Sequence, residues 1–283
     1  MTPGVPLGLG SSLCWGAADF LAGVQSRRLP ALTVVVWSQL AGSAALAVAL
    51  AVQGTRPAAA GVAWGLAAGV GGGVALLLFY RGLAAGAMSI VAPVSACGAV
   101  VPVVAAFLRG QPPSRPATLG IAAAIVGVVL VSRSSDPGQH PSGRPALVLA
   151  LALAAALGFG LFLVLVDAGT AVPGGAPLWV VAGARASSLL VVTGIAAAGR
   201  RRPRWPGGAA APVALVGVGD TTANLLFAYG ASRGNLGVVG VLASLYPVAT
   251  VLLARLLLGE RLSAAQDAGV LLALTGVALL AAG

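Results

Sequence analysis

Residues 146–166 read ALVLALALAAALGFGLFLVLV, twenty-one positions without a charged or amide side chain. An α-helix needs about 20 apolar residues to cross the hydrocarbon core of a bilayer. The run is continuously apolar and rich in Ala and Leu, whereas a barrel strand alternates apolar and polar residues. It therefore predicts a membrane-spanning helix over 146–167. Outward from it, similar runs bounded by Arg, Pro and Gly recur near 6–25, 31–52, 60–80, 86–108, 117–132, 177–198, 209–229, 236–257 and 264–282. The expected fold is an all-α polytopic membrane protein of ten transmembrane helices joined by short links.

Composition agrees with that reading. Of 283 residues, 59% are apolar and 8% charged, and the mean hydropathy is +1.01. Soluble domains carry roughly 25% charged residues. A soluble enzyme, a disordered chain and a secreted disulfide scaffold are thereby excluded. Cys14 and Cys97 fall in separate spans and offer neither a disulfide framework nor metal-ligand spacing. The N-terminus lacks the basic region of a cleavable signal peptide, so the first span is expected to be retained. No nucleotide-binding motif is present and no cofactor is expected.

The net charge is +10, carried by sixteen arginines and no lysine. They are spread between apolar runs, with one cluster at Arg200-Arg201-Arg202-Pro203-Arg204. That distribution speaks for topology rather than nucleic acid, and the expected partners are the lipid bilayer and a small-molecule substrate. Ten arginines fall on loops opposite the N-terminus and four on its own side. The positive-inside rule then places both termini outside the cytoplasm.

The chain repeats itself. A shift of 148 residues sets Leu78-Phe79 on Leu226-Phe227 and Gly82 on Gly230, and a shift of 149 sets Ser95 on Ser244, Gly110 on Gly259, Gly120 on Gly269 and Gly127 on Gly276. The polar link around 136–145 divides a first unit, 1–135, from a second, 146–283. Five spans in each make the second unit enter the membrane in the opposite sense, as in inverted-repeat carriers.

The stretch Leu257-Leu258-Gly259-Glu260-Arg261-Leu262-Ser263, followed by Gln266, Gly269 and Gly276-Val277, resembles the end of an EamA-type domain, the repeat unit of the drug/metabolite transporter superfamily. Trp15-Gly16-Ala17-Ala18-Asp19-Phe20 looks like its first-helix signature, with Asp19 where Asn is common. Ser244-Leu245-Tyr246-Pro247 resembles its fourth-helix segment. In the first unit Gln111 replaces the usual Glu of the Gly-Glu pair. The resemblance covers the chain twice. It implies two inverted five-helix EamA-like repeats in the cell (inner or plasma) membrane, moving small metabolites or drugs, usually outward, with termini inside. On that last point it disagrees with the arginine count.

Ionisable groups inside spans are costly in lipid, so they are the first candidates for function. Asp19, Arg185 and Asp220 stand in the first, seventh and eighth spans. Their depths place all three in the middle half of the bilayer. A carboxylate there exchanges protons near neutral pH, so Asp220 and Asp19 are the proton-coupling candidates. Arg185 admits two readings: a permanent ion pair with Asp220, or a group that binds a substrate carboxylate together with Gln39. Thr221, Thr222 and Asn224 make the eighth span locally polar, which adds Asn224 to the candidates. Trp15, Trp37 and Tyr246 lie deep enough to stack on a substrate or simply to pack. The glycines at 61, 65, 69 and 73 form a small-residue stripe suited to close helix packing. Pro93, Pro102 and Pro247 should kink their helices. Glu260 reads as a loop clamp and His140 as a solvated loop residue. A secondary carrier working by alternating access is the leading reading. The rivals are a polytopic membrane enzyme, which needs clustered acids or a nearby His, and a channel without a carrier cycle.

Overall fold

The computed structural model describes residues 3–26, 28–54, 56–85, 94–95, 97–131, 145–200, 202–259 and 263–282, and among these every regular element is helical. In order they are α1 (Gly4–Ser26), α2 (Ala31–Gln53), α3 (Ala59–Ala85), α4 (Val100–Leu108) after a 3-10 turn at Cys97–Ala99, α5 (Arg115–Val131), α6 (Pro145–Ala171), α7 (Pro177–Ala198), α8 (Ala210–Ala231) after a turn at Gly207–Ala209, α9 (Leu236–Ala243), α10 (Tyr246–Leu258) and α11 (Ala264–Ala282). Helices suit this composition because lipid offers backbone groups no hydrogen bonds, and a helix satisfies its own.

Among the described residues seven segments are long and apolar enough to cross a membrane, counting α9 and α10 as the single stretch Leu236–Leu258. The shorter apolar helices Cys97–Leu108, Arg115–Val131 and Ala264–Leu280 stand where the spans near 86–108, 117–132 and 264–282 are expected. Large apolar side chains point outward on many of these helices, among them Leu13, Val52, Leu108, Leu190, Leu256 and Leu271. In water such a surface would aggregate; against acyl chains it costs nothing. The chain is therefore a multi-pass membrane protein.

At Pro247 the effect exceeds a kink. The helix stops at Ala243 and restarts at Tyr246, with Pro247 in the first turn of α10, where its missing N–H is harmless. Pro102 lies in the first turn of α4, buried against Gly240. Pro93, Glu260, Arg261 and His140 lie outside the described residues.

The principal interfaces join the first half of the chain to the second: α3 with α6 and α7, α1 and α2 with α8, α5 with α11, and α4 with α9. Small residues make this possible, since in lipid helices associate through close packing rather than hydrophobic expulsion. The glycine stripe of α3 does so throughout, with Gly61 against Gly169, Gly65 against Val180, Gly69 against Ala184 and Gly73 against Val191. Between α5 and α11, Gly120 faces Gly276 and Gly127 faces Gly269, so these two helices run antiparallel. A Cβ on Gly127 would lie 2.6 Å from the backbone nitrogen of Ala273.

Local capping completes the frame. The Asn235 carboxamide oxygen accepts from the N–H groups of Gly237 (2.9 Å) and Val238 (3.2 Å), starting α9, while its Nδ2 donates to the Gln111 carbonyl in the other half. Ser263 and Gln266 form a reciprocal capping box at the start of α11, and Gln266 Nε2 reaches the last carbonyl of α5, at Val131.

Candidate functional site

The polar group sits where α1, α2, α7 and α8 meet. Arg185 lies eight residues into α7, about 12 Å from its start, and Asp220 about 15 Å into α8. From α7 the guanidinium reaches three acceptors. Nη1 donates to Gln39 Oε1 (2.6 Å), and Nη2 donates to Asp220 Oδ2 (2.5 Å) and to Thr221 Oγ1 (2.8 Å). Gln39 is fixed in turn by donating to Ser188 Oγ (3.2 Å), and Thr221 by donating to the Gly217 carbonyl (2.8 Å). The second oxygen of Asp220 accepts from Trp15 Nε1 (3.0 Å), and Asn224 Nδ2 donates to the Asp220 backbone carbonyl (2.6 Å).

Aromatic rings close one side. Trp15 packs edge-to-face with Tyr246 at a centroid separation of 6.3 Å and stacks with Phe227 at 6.4 Å. Tyr246 opens α10 directly after the helix break, so the interruption positions its ring. Asp19, one turn beyond Trp15 on α1, is exposed and within electrostatic reach of both Asp220 and Tyr246.

Accessibility divides the group. The Arg185 side chain is 8% exposed and that of Asp220 is 36% exposed. The guanidinium is buried behind its partners, while Asp19 is exposed and Asp220, Trp15 and Tyr246 are partly exposed at the outside of the group.

Seven of the eight residues singled out from sequence thus converge: Trp15, Asp19, Gln39, Arg185, Asp220, Asn224 and Tyr246. Trp37 stands apart. Its Nε1 donates to the Arg204 carbonyl (2.8 Å) and its ring meets Trp205 edge-to-face at 4.7 Å, which ties it to the loop after α7.

Sequence reasoning passed over a second ion pair, Arg109 with Asp167, which links the end of α4 to α6. The Asp167 side chain is 10% exposed and that of Arg109 is 40% exposed. The available signal was an acid closing an otherwise uncharged run. Arg255, inside the stretch 236–257 where a span is expected, pairs with Asp267 at 2.8 Å, both half-exposed. Among the described residues no His, Cys, Asp or Glu cluster gathers as metal ligands would.

Comparison with known proteins adds the following. The sequence profile of the EamA-like transporter family matches residues 2–133 and again 146–282. No curated protein matches the chain. A solved structure titled only as the crystal structure of a protein superposes with a TM-score of 0.81 over 98% of this chain and 95% of its own, at 20% identity, a likeness of fold alone.

Proposed function

The chain belongs to the EamA-like transporter family, and on that premise we propose that it is a secondary carrier of small metabolites or drugs working by alternating access. In this reading residues 1–135 and 146–283 are two inverted five-helix units of a ten-span bundle in the inner or plasma membrane, and the carrier exports. The observation that carries it is the Arg185–Asp220–Trp15–Gln39 group at mid-depth, built from both halves with Asp19 and Asp220 accessible. Carriers of inverted-repeat design bind substrate near the midplane, between the repeats.

Charge gives the site its preference. Two carboxylates oppose one guanidinium, three of whose five N–H groups already donate within the protein. A cationic or zwitterionic solute balances the group, and the faces of Trp15 and Tyr246 suit a positive charge through the ring quadrupole. Asp19 and Asp220 are the proposed coupling residues, taking up a proton when the solute leaves. The antiparallel glycine contacts and the break before Tyr246 supply surfaces that slide and a joint that bends.

The test is flux in proteoliposomes under an imposed pH gradient. Saturable, gradient-driven exchange is expected, with the drive lost in Asp19→Asn and Asp220→Asn. Flux that keeps its pH drive in both variants sinks the coupling, and flux that never saturates sinks the carrier cycle.

A further inference from the structure

Beyond the central site, α2 and α7 part near the end of α7 to leave a cleft of about 540 Å³, lined by Val36, Thr193, Ala196, Ala197, Arg200 and Arg202. The α7 helix has 22 residues and is about 33 Å long, close to the ~30 Å hydrocarbon core. Its last turns, which hold Thr193 to Ala197, therefore lie at the edge of the acyl region. Arg200 and Arg202, just past the helix, lie at headgroup level. Among the described residues neither has an ion-pair partner.

The backbone at Arg200 carries its own signal. Its φ is +50°, and among the described residues it is the only non-glycine with positive φ. The conformation is unfavourable for a side chain bearing a Cβ. Counted from the helix starts at Ala31 and Pro177, Arg200 stands where Gly54 does, and Gly54 has φ +61° at the end of α2. One half thus ends the helix on the residue that fits, and the other holds an arginine there against the local preference. Strain of this kind persists where surrounding structure enforces it. Here Trp37 Nε1 donates to the Arg204 carbonyl, the Arg204 N–H donates to Thr33 Oγ1 (3.3 Å), and Trp37 meets Trp205. The loop carrying the arginines is thereby fastened to α2.

We infer that this cleft is a binding site for an anionic phospholipid, the phosphate held by Arg200 and Arg202 and an acyl chain lying against the apolar wall. Guanidinium groups match phosphate oxygens in charge and planar geometry. Tryptophans at the same level suit the headgroup boundary.

The experiment titrates purified protein in neutral detergent with dioleoyl phosphatidylglycerol, dioleoyl phosphatidylcholine and glycerol 1-phosphate, reading binding by native mass spectrometry. Phosphatidylglycerol should bind at least about tenfold tighter than phosphatidylcholine. The Arg200→Gly/Arg202→Gln variant should lose about 30-fold and Arg202→Gln alone about fivefold, at ~1 kcal/mol per arginine. Because glycine fits the backbone at position 200, the double variant should unfold no earlier than the parent in lipid-free detergent, separating lost binding from lost folding. If it does unfold earlier, Arg202→Gln, at an exposed position outside any helix, decides. Equal affinity for the two lipids, or phosphatidylglycerol binding unchanged in the variants, overturns the proposal. So does glycerol 1-phosphate binding as tightly as phosphatidylglycerol, which makes the cleft a small-anion site.

Discussion

Removing both members of the Arg185–Asp220 pair should cost much less than the sum of removing each. In Arg185→Met the stem is kept and the guanidinium lost; Gln39 retains Ser188, Thr221 retains the Gly217 carbonyl, and Asp220 keeps only Trp15. In Asp220→Asn a buried guanidinium keeps Gln39 and Thr221 but loses its counter-charge. Breaking a fully buried pair by removing one partner costs about 3–5 kcal/mol. Exposed pairs are worth about 0–1 kcal/mol. With Arg185 8% and Asp220 36% exposed, this pair falls between those limits. Each single change should therefore destabilise by about 2–3 kcal/mol, and the double-mutant cycle should return a coupling of about 1–2 kcal/mol. The assay is reversible unfolding in mixed micelles as the denaturing detergent fraction rises, on parent, singles and double. A coupling below about 0.5 kcal/mol would falsify the view that this pair, rather than surrounding packing, organises the junction.

Three further outcomes follow from particular contacts. Gly127→Ala should destabilise by about 1–3 kcal/mol, because its Cβ would meet backbone atoms of Ala273 (2.6 Å) and Gly269 (2.8 Å); Gly23→Ala, which meets nothing, should be neutral or gain up to about 1 kcal/mol, both read from the same unfolding curves. Trp37→Phe loses the bond to the Arg204 carbonyl, worth about 1 kcal/mol, and should raise hydrogen exchange in residues 202–206 while leaving the Arg185 group unchanged. Arg255→Gln should alter stability by less than about 0.5 kcal/mol because its pair with Asp267 is half-exposed, whereas Arg109→Met should cost about 1–3 kcal/mol by leaving the buried Asp167 carboxylate unpaired; equal effects would sink the distinction drawn from burial.

Much of this protein was legible one residue at a time. Hydropathy is a local sum, so the run at 146–166 announced a helix in lipid without reference to any partner, and the rarity of Asp19, Arg185 and Asp220 within such runs marked them as candidates. The repeat also exposed glycines, setting Gly120 on Gly269 and Gly127 on Gly276. What it could not say is that these residues touch crosswise, Gly120 with Gly276 and Gly127 with Gly269, because contact depends on two helices meeting antiparallel.

The same limit applied at the site. Sequence placed Trp37 and Trp15 on equal terms, since depth in a span is one-dimensional; direction around the helix sent Trp15 to Asp220 and Trp37 to Arg204. It left open whether Arg185 would hold a substrate carboxylate or a protein one; in the fold three of its five N–H groups go to Asp220, Gln39 and Thr221. Asp167 drew no attention because its partner, Arg109, lies 58 residues away in another unit of the chain. Solvent preference is a property of each side chain and accumulates along the sequence, so the all-helical membrane class and, among the described residues, the seven long apolar segments were legible there. Ion pairing, close approach and exposure are properties of pairs distant in the chain, and only the packing of α1, α2, α7 and α8 decided them.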